Sequence, residues 1–381
     1  MTPRGYVGWI SLALAGTASS LTAQNSVYGV QGVGFPVRPL SVHARGLSGG
    51  NAVFDPGSAV NPATATAFGG ITAHLSAATA FRRYSAYDST VSGLKETRFP
   101  LSMVGARIGE TDLSFAVSYG PYLERSFDFR TTSVVVVRAE SLIVSDRVSS
   151  DGGLADFRAA IGFQVTSRLH VGVAGHLLTG SSKLRVRREF SSGDYRPFAQ
   201  RSDLTFTGAG VSVGVSALVA PGLQLGAALR SDTRLRTTQE GFPTTSVDLP
   251  VTFTAGVRLE PVRRVAWATT VERRSWSSGA ADLGPGVTAF DTWDVASGLE
   301  IGGYNPVTRT NRLPLRFGVR YATLPFSGRS TQAHELTLGA GSGLAFGTRV
   351  AMDLAVERAT RSGAGAEERV WQASVGVTIV P

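Results

Sequence analysis

The sequence predicts an all-β protein, a transmembrane antiparallel β-barrel of about fourteen strands with an N-terminal segment held in its lumen. Three observations predict it. Segments of about ten to fourteen residues alternate apolar positions with polar or glycine positions, which suits a tilted strand that crosses a bilayer with one face to lipid and one to water. The joints between these segments are alternately short and long. Beyond the first segment, no run of about eighteen apolar residues is present to form a membrane helix.

The totals agree. Among 381 residues there are 45 glycines, 43% are hydrophobic and only 17% are charged, a composition poor in helix-forming filler. Cysteine is absent, which removes disulfides, thiolate metal sites and cysteine nucleophiles together. The net charge of +9 rests almost wholly on arginine, since Lys95 and Lys183 are the only lysines. These arginines are scattered through the strands instead of gathered on one patch, so no nucleic-acid partner is expected; lipopolysaccharide phosphates offer another anionic partner.

Residues 1–23 have the three-part form of a signal peptide: Arg4, the apolar stretch from Val7 to Ala18, then small residues. Cleavage is expected after Ala23, with Ala18 as the other candidate. Export of this kind predicts residence in the outer membrane of a Gram-negative-type bacterium.

From residue 69 to 381 the barrel pattern takes over. Leu223, Leu225, Ala227 and Leu229 oppose Gln224, Gly226, Ala228 and Arg230. Phe157, Ile161 and Phe163 oppose Arg158, Gly162 and Gln164, and Phe253 and Val257 oppose Thr254 and Arg258. Near the end, Phe317 and Val319 oppose Arg316 and Arg320, then Trp371, Val375 and Ile379 oppose Gln372 and Gly376. A soluble sandwich shares the period, but not small apolar residues on one face and glycine or arginine on the other over so many strands.

Short joints are expected at 109–111, 166–168, 220–222, 261–263 and 346–348, with a longer one at 302–311. Long polar stretches fall at 85–97, 130–153, 191–200, 239–247, 277–289, 325–332 and 361–368, with 133–145 itself strand-like. Short turns mark the periplasmic end and long loops the outside. Both chain ends then lie on the periplasmic side, where the barrel-assembly machinery is the expected partner.

Residues 24–68 lack the strand period. They carry the small-residue run Ala44 to Gly50 and then Phe54-Asp55-Pro56-Gly57-Ser58-Ala59-Val60-Asn61-Pro62-Ala63. Too rich in glycine for a long helix and too apolar for a free tail, the segment is expected to pack inside the barrel. A glycine run, a turn with an acid, and Asn-Pro-Ala just before the first strand resemble the FadL family of outer-membrane transporters for long-chain fatty acids and other hydrophobic compounds. The resemblance extends to Leu249-Pro250-Val251-Thr252-Phe253 and to Trp276. It implies a hatch in a fourteen-stranded barrel, with Asn61, Pro62 and Ala63 at the gate. The acidic pair usual before Asn-Pro-Ala is reduced here to Asp55, and the chain closes on Val-Thr-Ile-Val-Pro where an aromatic residue is usual.

Two functions follow from the resemblance: a channel for hydrophobic or amphipathic small molecules such as fatty acids, or, as in the family's secretion-shuttle relatives, a non-transporting scaffold. No cofactor is implied. The five histidines, His43, His74, His170, His176 and His334, show no metal-binding pair with a carboxylate on the same face. His74 and His176 could face the lumen as in barrel phospholipases, but no serine is singled out for them and no catalytic group is expected. Glycines such as Gly208 and Gly210 sit in strands and open no helix, so they read as places where a bend or a lumen contact leaves no room for a side chain. Trp267, Trp276, Trp293 and Trp371 fall near strand ends, as interfacial girdles do.

Arg230, Arg234, Arg236, Arg258, Arg316 and Arg320 are expected to face the lumen. Fixed there, they would attract an anionic amphipathic solute. Alternatively they pair across strands with Asp232, Glu272, Asp353 and Glu357, and hold the barrel interior together.

Overall fold

A computed structural model describes residues 26–380 apart from 87–88, 138–139, 263, 285, 303–312 and 348. The expected signal peptide and its cleavage points lie outside the described residues, as does most of the joint at 302–311.

The wall is built by β1 (Thr72–Ala86), β2 (Ser102–Arg107), β3 (Leu113–Glu124), β4 (Glu140–Thr166), β5 (Leu169–Phe190), β6 (Phe198–Ala220) and β7 (Leu223–Asp232). It continues through β8 (Thr252–Val262), β9 (Val265–Arg274), β10 (Thr292–Ile301), β11 (Leu315–Thr323), β12 (His334–Phe346), β13 (Val350–Gly363) and β14 (Ala366–Ile379). Each strand pairs antiparallel with the next. β14 then pairs with β1 from Ala73↔Ile379 to Ala86↔Ala366, which closes the barrel and leaves no edge at the seam.

The alternation in the sequence sets the two faces. Ile161, Val173, Val213, Phe253, Phe317 and Leu338 are exposed on the outside, while Ala160, Ala174, Ser212, Thr254 and Thr337 on the same strands are buried within. Trp267, Trp293 and Trp371 stand outside as expected of a girdle. Trp276 does not. It belongs to the 3-10 turn Trp276–Asp282 and is buried against Phe326, ring centroids 5.0 Å apart, in an apolar cluster with Leu178, Leu235 and Leu249. Proximity to a strand end could not separate an outward tryptophan from one carried inward by a turn.

Two stretches expected to be long loops are strand almost to their tips. Ser89–Arg98 pairs with the upper part of β1, and β13 with β14 up to Gly363↔Ala366. Phe127–Val137 pairs antiparallel with the first part of β4, from Phe127↔Ser150 to Val137↔Glu140. A strand that stands clear of lipid is wetted on both faces, so its sequence loses the apolar stripe and reads as loop.

One register change matters for the site. On β7, Asp232 lies opposite Gly210 of β6; further along, in Leu235–Gln239, Arg236 lies opposite Thr207. Four residues on one side thus match three on the other, and a single extra residue exchanges the faces. Leu235 is buried in the apolar cluster, and Arg234 and Arg236 point outward. The expectation that these two arginines face the lumen is corrected accordingly.

Candidate functional site

Residues 41–68 lie within the ring of strands and touch the wall on many sides. Helix α1 (Val42–Gly46) packs against β11, β12, β13 and β14, and the 3-10 turn Pro62–Ala67 against β2, β3, β4, β5 and β6. α1 starts where it does because Ser41 Oγ accepts the Ala44 amide at 3.0 Å. The same hydroxyl donates to Asp55 at 2.5 Å, and Ser58 Oγ donates to Asp55 at 2.6 Å, so one carboxylate ties the start of the helix to the chain's return.

Asn61 is fully buried. Its Nδ2 donates to Val53 O at 3.0 Å and to Val215 O of β6 at 3.1 Å, while its Oδ1 accepts the Ala63 amide at 3.0 Å. With Pro62 at the first position of the turn, this is a capped start that also hydrogen-bonds to the wall.

The wall admits this segment by having no side chains there. A methyl group at Gly172 would overlap the Pro62 backbone, one at Gly214 would overlap Asn61, and one at Gly318 would overlap the Leu47 backbone. Gly105 faces Phe68, Gly256 faces Val53 and Gly298 faces Leu47 in the same way. These strand glycines are required by close approach.

His43 links the segment to the wall a second time. Its Nε2 lies 2.7 Å from Glu300 of β10 and its Nδ1 3.6 Å from Asp55. Burial alone would push the imidazole pKa down, but the neighbouring carboxylates of Asp55 and Glu300 outweigh burial and hold it up at about 9. Burial would raise Asp55, yet its bond to His43 keeps that carboxyl well below the usual range.

Toward the long-loop end the lumen is charged. Arg320 bonds Asp294 at 2.7 Å and pairs with Glu335; Arg361 pairs with Glu335 and bonds Glu368 at 2.8 Å. Arg82 then reaches Glu368 and Glu96, each at 3.4 Å, and Arg98 meets Glu96 at 2.9 Å and also pairs with Glu124. From the inner segment, Arg38 joins Asp294 at 3.4 Å and Arg45 joins Glu357 at 3.1 Å. Signs alternate along this chain of contacts, so each charge is paired though withdrawn from bulk water.

Of the arginines expected at the lumen, Arg320 lies in this network, Arg316 bridges Glu300 and Asp353 at 2.6 Å each, and Arg230 bonds Asp156 at 2.6 Å and Asp232 at 2.9 Å. Arg258 lies near a short turn, one-third exposed and paired with Glu260. Arg234 is outside the lumen, bound to Asp248 and Asp282. All of these arginines are therefore paired, Arg316, Arg320 and Arg230 with acids of other strands, Arg230 and Arg258 also with acids two residues along their own; of the four acids expected as partners, Asp232 and Asp353 serve these arginines, while Glu272 pairs with Arg274 and Glu357 with Arg45. Arg361 was missed because its segment read as a loop, and Arg82 and Arg98, which flank the stretch 85–97 read as a loop, were not singled out; their alternation with outward residues was the available signal.

A cavity of about 130 Å³ opens in this charged tier. Seven arginines line it (Arg38, Arg45, Arg82, Arg98, Arg274, Arg320 and Arg361) against five acids (Glu124, Glu272, Asp294, Glu335 and Glu357), together with Phe35, Leu40, Leu324 and Val370. The Nε atoms of Arg45, Arg82 and Arg98 are buried and have no hydrogen-bond partner. Beside the cavity the wall is interrupted. Above Tyr119, β3 leaves β2 and pairs instead with Phe35–Pro36 of the inner segment, while Ser89–Arg98 stays on β1 and exposed Phe99 separates it from β2.

Among the described residues no group of histidine and acidic side chains could hold a metal ion.

No protein-family model and no curated protein matches the chain. Solved structures do. A FadL homologue from Pseudomonas aeruginosa is 15% identical, with 91% of this chain and 99% of that one covered at a TM-score of 0.61. The toluene transporter TodX of P. putida is 14% identical over 92% of this chain and 99% of its own, TM-score 0.56, and the toluene transporter TbuX of Ralstonia pickettii 14% identical over 93% and 99%, TM-score 0.55. The chain thus has the fold of the FadL-like outer-membrane transporters over almost its whole length.

Proposed function

We propose that the protein is an outer-membrane channel for amphipathic small molecules, and that the molecule it holds joins an anionic head to a compact apolar body. The observation that carries this reading is the cavity lined by seven arginines against five acids and by apolar side chains, three of those arginines having a buried Nε without a partner. Guanidinium groups in excess of carboxylates around a site shielded from water favour an anion, which they bind through charge-assisted hydrogen bonds. The volume, about 130 Å³, is close to the roughly 150 Å³ that accommodates benzene, so an aromatic or short-chain carboxylate fits better than an extended long chain. That solved structures of the same fold include toluene transporters supports an apolar body of this size. Residues 35–37 fill the break in the wall, and their displacement together with Asn61 would give the solute a path from the cavity.

Uptake of benzoate, and of benzyl alcohol as its uncharged counterpart, by liposomes holding the refolded protein tests this. Benzoate is expected to enter faster, and Arg45→Gln to remove most of the difference. Equal rates for both solutes, unchanged by Arg45→Gln, would reject the anionic head; no uptake of either, with no conductance after removal of residues 24–63, would favour a shut scaffold.

A further inference from the structure

A second set of lumen side chains lies apart from the charged cavity, on β4, β5 and β6. His176 Nδ1 is 3.0 Å from Asp156 Oδ2, and His176 Nε2 is 2.9 Å from Ser212 Oγ. His176 and Ser212 are both buried. A carboxylate only accepts, so Asp156 makes Nδ1 the protonated nitrogen and leaves Nε2 to accept from the Ser212 hydroxyl. Asp156 is itself held by Arg230 at 2.6 Å. Directly across the β4–β5 pairing from His176 stands Arg158, buried, with Nε and Nη2 lacking any partner. A nucleophile, a base within hydrogen-bond reach, a group that orients the base and free cationic donors beside them are what acyl transfer requires.

We propose that Ser212, His176 and Asp156 form an esterase site that cleaves small carboxylic esters inside the lumen, an activity beyond transport. Ser212 Oγ bonds to the ester carbonyl carbon as its proton passes to His176 Nε2, and Arg158 stabilises the oxyanion. The carbon–oxygen bond to the alcohol then breaks and His176 returns the proton to the departing alkoxide. Water, activated by the same imidazole, cleaves the acyl-serine, releases the acid and restores the serine hydroxyl. A cavity of about 50 Å³ lies beside this group, lined by Asp156 and Arg230 on the wall and by Ala59 and Val60 of the inner segment. Ser212 lies one inward position from Gly214, against which Asn61 is seated.

The test uses the refolded full-length protein in detergent, treated with an alkyl fluorophosphonate and mapped by mass spectrometry, with hydrolysis of p-nitrophenyl acetate followed in parallel. Phosphonylation of Ser212 is expected, with fluoride lost, and both signals should vanish in Ser212→Ala. His176→Gln should slow labelling about 100-fold or more. Asp156 is a positioning residue: Asp156→Asn should lower the maximal labelling rate while leaving the half-saturating probe concentration unchanged. Heat-modifiable gel mobility reports folding of each variant, and Ser212→Ala and His176→Gln suffice if Asp156→Asn does not fold. A folded protein with no adduct on Ser212, or one labelled equally fast in His176→Gln, overturns the proposal.

Discussion

The lumen meets the inner segment in two different ways. Along one belt, at Gly172, Gly214, Gly298 and Gly318, the wall offers bare backbone and the segment lies against it. Toward the long loops the wall offers Asp294, Arg320, Glu335 and Arg361, and Arg38 and Arg45 of the segment engage it through charge. The belt therefore selects for shape and is intolerant of any added atom; the charged tier tolerates shape and is intolerant of any lost charge. Fit and fixation are assigned to separate levels of one wall.

That contrast can be broken first at Glu335. This acid is shared by Arg320 and Arg361 and is almost wholly buried. Glu335→Gln leaves two cations under-compensated, and a loss of about 3–5 kcal/mol is expected, seen as a lower temperature of the heat-induced gel shift. A thermal transition that does not move would mean that the network carries no stability. On the other level, Gly172→Val forces two methyl groups into the Pro62 backbone. Overpacking of about 1–3 kcal/mol is expected, relieved by unseating the segment, so single-channel conductance in a planar bilayer should rise while the barrel stays folded. Unchanged conductance would detach the belt from gating.

The His43 contact sharpens the comparison by pH. With its pKa held up at about 9 by Asp55 and Glu300, His43 contributes attachment that is complete below about 6.5 and lost as pH rises through 9. Asp55, held low, contributes above about 4 and loses its share only as pH falls. Conductance is therefore expected to increase between pH 8 and 10, and His43→Ala should abolish that dependence. The smallest effect belongs outside the lumen: Arg234 pairs with Asp248 and Asp282 in solvent, and Arg234→Ala should shift stability by no more than about 1 kcal/mol and leave conductance alone. A large change in either would restore Arg234 to the interior.

Much of this was legible in the sequence. The strand count, the outward, exposed Phe317 and Val319 and the inward Arg230, Arg316 and Arg320 follow from a period of two, which holds wherever the two faces of the wall meet different surroundings. Toward the strand tips the outward apolar stripe fades, and there the reading failed: strands became loops, Trp276 was turned outward, and Arg234 inward across a single extra residue. Ser212 was not singled out because its partner His176 is brought to it by the offset of β6 against β5, and no local pattern encodes that offset. The glycines of the belt were read individually as places without room for a side chain; that they form one belt required the register.

A belt of bare backbone has a mechanical meaning. Interlocked side chains must ride over one another when two surfaces slide, whereas glycine against main chain has no teeth, like a plain bearing around its shaft. Resistance to movement then resides in discrete ties: Asn61 to Val215, Thr270 to the Gly50 carbonyl, His43 to Glu300, and the ion pairs of Arg38 with Asp294 and Arg45 with Glu357. Such a joint releases in one step once its pins are drawn, and returns to the same seat.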